Sequence, residues 1–259
     1  MEFYESFWYA IVRGVTEALP LPRGLHEQAL SSIMGRQYEA VFMDFMALGV
    51  ALGIAFYYRK DIFKKKYKKP ALFVRGIIAS LLVFVSWELV GNVLLARLGG
   101  INLFLGAILA LVYGAALCSW PSFTKKTAKK SQTPDATQWG MLVLAQAMAP
   151  VTGFSALGLS LMLAQKYEYS AKKSIKNCLC LLILPLILTG LKILVIPDRF
   201  DYLAANTSQL FIALGITAVS SYFAIRFLVK YFKNHDSLKN FGRYCVMFAA
   251  LILIFELSK

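Results

Sequence analysis

Arg13, Thr16, Glu17, Arg23 and His26 fall within one fourteen-residue stretch, RGVTEALPLPRGLH, flanked by apolar sequence. Arg13 and Glu17 are four apart and share a helix face as far as the first proline. Guanidiniums with unpaired backbone N–H groups at a chain break are the donors that hold a phosphate. An internal Arg13–Glu17 ion pair that merely satisfies itself is the alternative. A second stretch, QAMAPVTGFSALGLS from Gln146 to Ser160, carries only neutral polar groups. Gly153 and Gly158 let backbone approach a ligand, and Thr152, Ser155 and Ser160 offer hydroxyls. Small residues of this kind also serve helix packing in membranes.

The surrounding chain says what must position these groups. Of its 259 residues 58% are hydrophobic and 16% charged, against about 45–50% and about 25% in soluble domains. Mean hydropathy is +0.60. A soluble globular protein is excluded, and the 14% aromatic content excludes a disordered one. The formal charge of +14 on so apolar a chain points to a membrane protein that meets anionic lipid or phosphate. Nucleic acid would account for the charge but not for the apolar bulk. Cys118, Cys178, Cys180 and Cys245 lie in apolar runs without metal-ligand spacing and read as small core residues. The first residues lack the basic region and cleavage site of a signal peptide.

A bilayer core about 30 Å thick needs about 20 apolar residues per spanning helix. Six stretches qualify: 40–58, 71–95, 101–119, 174–196, 208–229 and 241–257. Two more, 4–35 and 138–165, are interrupted at Pro20–Gly24 and Pro150–Gly153, and their halves are too short to cross. That is the pattern of re-entrant hairpins, whose irregular backbone is tolerated only inside protein or beside a wet cavity. Twenty of the 28 Lys and Arg residues occupy 59–69, 125–130, 166–176 and 226–243. Placing these loops in the cytoplasm satisfies the positive-inside bias, with both termini outside. The expected architecture is an all-α polytopic membrane protein with six spans and two re-entrant hairpins. It divides into halves 1–120 and 138–259 of opposed topology, an inverted repeat joined by a linker at 121–137. The lysine-rich loops also attract anionic membrane lipids.

Other polar residues in the spans have structural readings. Glu88 is expected to pair with Arg75 or Arg97, and Lys192 to snorkel from the end of its span. Trp8, Trp87 and Trp120 suit interfacial belts, and His235 a solvated turn.

The first motif, followed by LGVALGIAFYYRKDI at 48–62, resembles the bacterial undecaprenyl-diphosphatase (bacitracin-resistance) family. The family pattern is E-G-x-T-E-F-L-P-x-S-S-x-G-H, and the second break is similar to its Q-x-x-A-x-x-P-G-x-S-R-S-G-x-T. QLFIALGITAVSSYFAIRFLVKYF and FGRYCVMF extend the likeness to the chain's end. The resemblance implies six spans with two opposed re-entrant hairpins. It also implies action on a polyprenyl diphosphate of cell-envelope synthesis, in the bacterial inner membrane, with hydrolysis to the monophosphate as the family reaction. Glu17, His26 and Ser155 take the catalytic positions. Arg13, Thr16, Arg23, Gln146, Thr152, Gly153 and Ser160 take the substrate-binding ones.

The departures fall on the chemistry. Arg13 replaces the first carboxylate of the family pair, Pro22-Arg23 replaces the serine pair, and Leu25 replaces a glycine. Thr152 replaces a proline, Ala156 the arginine and Leu157 a serine, with Ser160 standing for a threonine. The resemblance implies a divalent cation as cofactor, but Arg13 opposes one, and no residue is assigned as a metal ligand. Arg23 can restore the charge lost at Ala156, though not the serine it displaced. Ser155 as nucleophile requires His26 or Glu17 within hydrogen-bond reach. Three readings follow: a diphosphatase with a rearranged site, a non-hydrolytic protein that binds or flips a polyprenyl phosphate, and an assembly partner with a vestigial pocket.

Overall fold

A computed structural model of the chain describes residues 3–36, 39–63, 70–89, 102–122, 136–149, 153–166, 171–235 and 237–258. The protein is an all-α polytopic membrane protein, with no strand among the described residues. Its helices are α1 (Phe3–Ala18), α2 (Arg23–Met34), α3 (Ala40–Phe63), α4 (Pro70–Trp87) and α5 (Leu103–Ser119). They continue as α6 (Ala136–Ala147), α7 (Ala156–Lys166), α8 (Ala171–Val195), α9 (Pro197–Ala205), α10 (Thr207–Asn234) and α11 (Lys239–Leu257). Four of them, α3, α8, α10 and α11, are long and apolar enough to cross a membrane, and α4 and α5 contain shorter apolar helices. These six coincide with the six expected spans. Val112, Met247, Leu251 and Ile254 are exposed on their surfaces, as lipid-facing residues are. Most of the expected linker, and the end of the stretch 71–95, lie outside the described residues.

Both interrupted stretches fold as helix, break, helix. Prolines at 20 and 22 cannot donate to a helix ladder; α1 stops before them and Pro22 caps α2. The α2 helix ends on Gly35 at φ 66°, the left-handed cap glycine supplies without strain. In the second break Gly153 has the same φ of 66°. Ser155 then opens α7, its Oγ accepting the Gly158 N–H at 3.1 Å.

The helices pack in an exchanging pattern. The first hairpin's α1 lies along α10, and the second hairpin's α6 lies along α4. Likewise α3 packs on α10 while α8 packs on α4, and the remaining principal pairs are α3 with α8 and α5 with α11. Swapping the first set of helices for the second returns the same pairs. Near-contact of backbones makes this possible. At the α5–α11 crossing a Cβ on Gly242 would stand 2.7 Å from the Gly114 carbonyl oxygen and 2.8 Å from the Cys118 nitrogen. A Cβ on Gly14 would stand 2.6 Å from the Thr217 carbonyl oxygen of α10. With lipid as the competing apolar phase, such close van der Waals packing drives association. Core residues including Ile54, Leu117, Leu161, Leu179 and Leu186 fill the space between helices.

The short α9 was not anticipated from the sequence. Its Pro197 sits at the first turn and Arg199 reaches back to the bundle.

Gly242→Leu is therefore expected to lower the midpoint of thermal unfolding in detergent by several degrees, since overpacking costs about 1–3 kcal/mol or more. Gly215→Ala, with nothing within 4 Å of the added Cβ, should leave it unchanged.

Candidate functional site

The two breaks meet. Ser155 Oγ donates to the Leu19 carbonyl oxygen at 3.1 Å, and the Tyr113 hydroxyl of α5 donates to the Pro20 carbonyl oxygen at 3.2 Å. The Tyr113 ring stacks on Phe154, centroids 5.0 Å apart. A Cβ on Gly158 would collide with the Tyr113 hydroxyl, so glycine is what lets α7 approach.

Beside this junction lies a cavity of about 480 Å³, within the range of small-ligand sites. Arg13, Thr16 and Glu17 of α1, Arg23 and Glu27 of α2, and Gly153 and Ser155 of the second break all line it. The first residues of both α2 and α7 also face it. The positive ends of two short helices are thus directed at one space, a suitable field for an anion.

Its charges are organised as a closed cluster. Arg13 Nη1 lies 3.1 Å from Glu27 Oε1, and Arg13 Nη2 3.8 Å from Glu17 Oε2. Arg23 Nη1 lies 2.5 Å from Glu17 Oε2, and Arg23 Nε 3.4 Å from Glu27 Oε1. Each guanidinium touches both carboxylates. Arg13, Glu17 and Glu27 are buried, whereas the Arg23 side chain is 36% exposed. A single charge costs about 2.5–3.5 kcal/mol on insertion scales. Four unpaired ones would cost about 10–14 kcal/mol, as much as a whole domain's stability. Pairing is what permits them here. The sequence reading of an Arg13–Glu17 pair describes only one edge of the cluster. It passed over Glu27, whose signal was its place four residues after Arg23 on one helix.

The remaining candidates are placed as follows. Thr16 Oγ1 donates to the Val12 carbonyl oxygen at 2.7 Å. Gln146 is fully buried and its Nε2 donates to the Cys178 carbonyl oxygen at 3.1 Å, while its backbone carbonyl oxygen accepts from Trp87 Nε1. Ser160 is buried in α7; neither it nor Gln146 lines the cavity. Thr152 lies outside the described residues. His26 leaves the cavity altogether: its ring stacks on Phe248 of α11 at 4.4 Å. A ring protonated on Nδ1 donates there to the Pro22 carbonyl oxygen at 2.8 Å and accepts at Nε2 from the Tyr244 hydroxyl at 2.9 Å. Trp120 Nε1 donates to the Met162 carbonyl oxygen, so Trp87 and Trp120, expected as interfacial belt residues, both bind protein.

Glu88 pairs with Lys192 at 2.8 Å, and Lys192 turns inward instead of snorkelling; Arg97, one of the partners expected for Glu88, lies outside the described residues. The reason is Asp44, whose Oδ2 lies 3.2 Å from Lys192 Nζ; two carboxylates hold the ammonium more strongly than water at the helix end would.

A divalent cation finds poor ligands in this cavity. Glu17 and Glu27 already receive both guanidiniums, and an ion between them would stand against Arg13 and Arg23. Asp44 and Glu88 are likewise taken by Lys192, so the described lining residues do not fit such an ion.

An all-helical membrane bundle in which two broken helical stretches meet beside a charged cavity is an architecture known among integral membrane proteins. Residues 6–251 match the family described as bacitracin resistance protein BacA, and the chain belongs to that family. It is 27% identical to an undecaprenyl-diphosphatase of Oceanobacillus iheyensis, covering 98% of this chain and 100% of that protein. It is 25% identical to the undecaprenyl-diphosphatase of a Prochlorococcus marinus strain, over 98% of this chain and 96% of that one. It is also 25% identical to undecaprenyl-diphosphatase 2 of Oenococcus oeni, over 98% of each.

Removing the buried Arg13 strips a guanidinium from two buried carboxylates, a loss of about 3–5 kcal/mol. Arg13→Ala should therefore lower thermal stability in detergent markedly and the more exposed Arg23→Ala less. Adding Glu27→Gln to Arg13→Ala should recover part of the loss. Equal melting of both single variants would contradict the closed cluster.

Proposed function

We propose that this protein acts on undecaprenyl diphosphate, or a close polyprenyl diphosphate of envelope synthesis, in the bacterial inner membrane. The observation that carries the reading is the convergence of Arg13, Arg23 and two helix N-termini on one cavity in a chain of this family. On this reading the two hairpins are re-entrant, the basic loops face the cytoplasm and the halves are inverted relatives that meet at the site.

The lipid's phosphates displace carboxylate oxygens from the guanidiniums, each new contact being a charge-assisted pair. Hydrolysis places a water on the terminal phosphorus. The bridging P–O bond breaks, undecaprenyl phosphate leaves with the bonding electrons, and inorganic phosphate is the other product. Glu17, relieved of part of its guanidinium contact, accepts the water's proton. Arg13 and Arg23 meet the charge that develops on the phosphoryl oxygens, a role worth several kcal/mol in a water-poor site.

A second reading, binding and transfer of a polyprenyl phosphate between leaflets without hydrolysis, draws on one specific observation. Ser155 Oγ is committed to Leu19 and Gly158, and His26 is engaged by Pro22 and Tyr244 outside the cavity. A serine nucleophile with a histidine base is thereby disfavoured, and the water route through Glu17 is what remains for catalysis.

Phosphate release from undecaprenyl diphosphate by the purified protein separates the two. Turnover is expected, with Glu17→Gln reducing it by about 10²-fold or more and His26→Ala sparing it. Bound lipid without turnover, together with leaflet exchange in vesicles, would replace the first reading by the second. Neither binding nor turnover would remove both.

A further inference from the structure

The cavity has a second charged wall, supplied by neither break. Asp44 of α3, Glu88 just past α4 and Lys192 of α8 line it, and Arg199 of α9 reaches Asp44 Oδ2 at 2.5 Å. A lysine in the last turn of an apolar helix normally extends to water. The Lys192 side chain is instead 16% exposed and directed at two carboxylates.

The two walls share one design. On the first, Glu17 is held by Arg13 and by Arg23. On the second, Asp44 is held by Lys192 and by Arg199. Either wall can release one cation to a ligand without stranding that acid. Among the described residues, the lining carries three cations, Arg13, Arg23 and Lys192, against four carboxylates, Glu17, Glu27, Asp44 and Glu88. A ligand must bring enough negative charge to draw cations from both sides. Two linked phosphates do this, and one phosphate engages a single wall.

We propose that Lys192 is a second phosphate ligand: it takes one phosphate of a polyprenyl diphosphate while Arg13 and Arg23 hold the other, making the site selective for diphosphate over monophosphate. The proposal rests on the reading of the cavity as a polyprenyl phosphate site. Glu88 and Asp44 act as the ammonium's resting partners. Lys192 is absent from the motifs that carry the family resemblance, so this selectivity belongs to residues outside them.

The test uses the full-length protein in detergent with two probes: a polyprenyl methylene-bisphosphonate, whose P–C–P bridge resists hydrolysis, and polyprenyl phosphate. Lys192→Ala should weaken bisphosphonate binding roughly tenfold or more, the scale of one lost charge-assisted contact, and leave monophosphate binding within about twofold. Glu88→Gln, which keeps Lys192 but removes one competitor, should tighten bisphosphonate binding and so decides the matter if the alanine variant fails to fold. Lys176→Ala, at the other end of α8 and paired with Asp61 at 3.2 Å, serves as control and should change neither. If wild type binds both probes and Arg23→Ala weakens both, an unselective or absent effect at Lys192 and Glu88 overturns the proposal alone. If wild type binds neither probe, the reading of the site falls and takes the proposal with it.

Discussion

Two arginines and two glutamates on a pair of short helices must neutralise one another inside an apolar helical bundle. That requirement governs the first hairpin. Arg13 and Glu17 project from the last turns of α1, and Arg23 and Glu27 from the first turns of α2. The cluster closes only because two prolines fold the chain back between them. Gly14 contributes from the opposite side, since any larger residue would push α1 off α10 and open the cluster. The second hairpin is held to this arrangement by the Ser155 hydroxyl on the Leu19 carbonyl oxygen, and α5 by the Tyr113 hydroxyl on that of Pro20, rather than by charge. Break, close packing and ion pairs are one solution to the desolvation of four charges.

The same closure defines what the site can do. On the proposed reading, carboxylates occupy the places a phosphate would take, so a ligand would bind by exchange rather than by filling an empty positive pocket. Exchange favours ligands that carry more than one negative oxygen and can satisfy a planar guanidinium at two points. It also leaves Glu17 with altered partners once the ligand is present, which is when a proton acceptor is needed. Arg13 and Arg23 thus bring two guanidiniums to a cavity whose lining also carries Glu17, Glu27, Asp44 and Glu88.

Much of this was legible in the sequence because bilayer length constraints are strict. The six apolar stretches and the two proline-interrupted ones correspond to helices in the structure, and both interruptions border the cavity. Side-chain direction was not legible. His26 and Arg23 are three apart on one helix, yet Arg23 faces the cavity and His26 faces α11, a difference decided by Phe248 and Tyr244 two hundred residues away. Glu27 was overlooked because the motif ended at His26. Lys192 looked like a snorkelling residue because Asp44 and Glu88 are distant in sequence and only tertiary packing brings them to it. Ser155, read as a nucleophile, has the local signature of a helix cap, three residues before the N–H it receives.

The central claim is that a lipid phosphate takes guanidinium contacts now made by glutamate. Phosphorus-to-nitrogen dipolar recoupling by solid-state NMR measures it directly, with arginine side-chain ¹⁵N labels and bound polyprenyl phosphate in a lipid bilayer. The account predicts a phosphorus within about 4 Å of guanidinium nitrogens, the spacing of a charge-assisted contact, and loss of that coupling in Arg23→Lys together with Arg13→Lys. Bound lipid whose phosphorus shows no coupling to any arginine would contradict it.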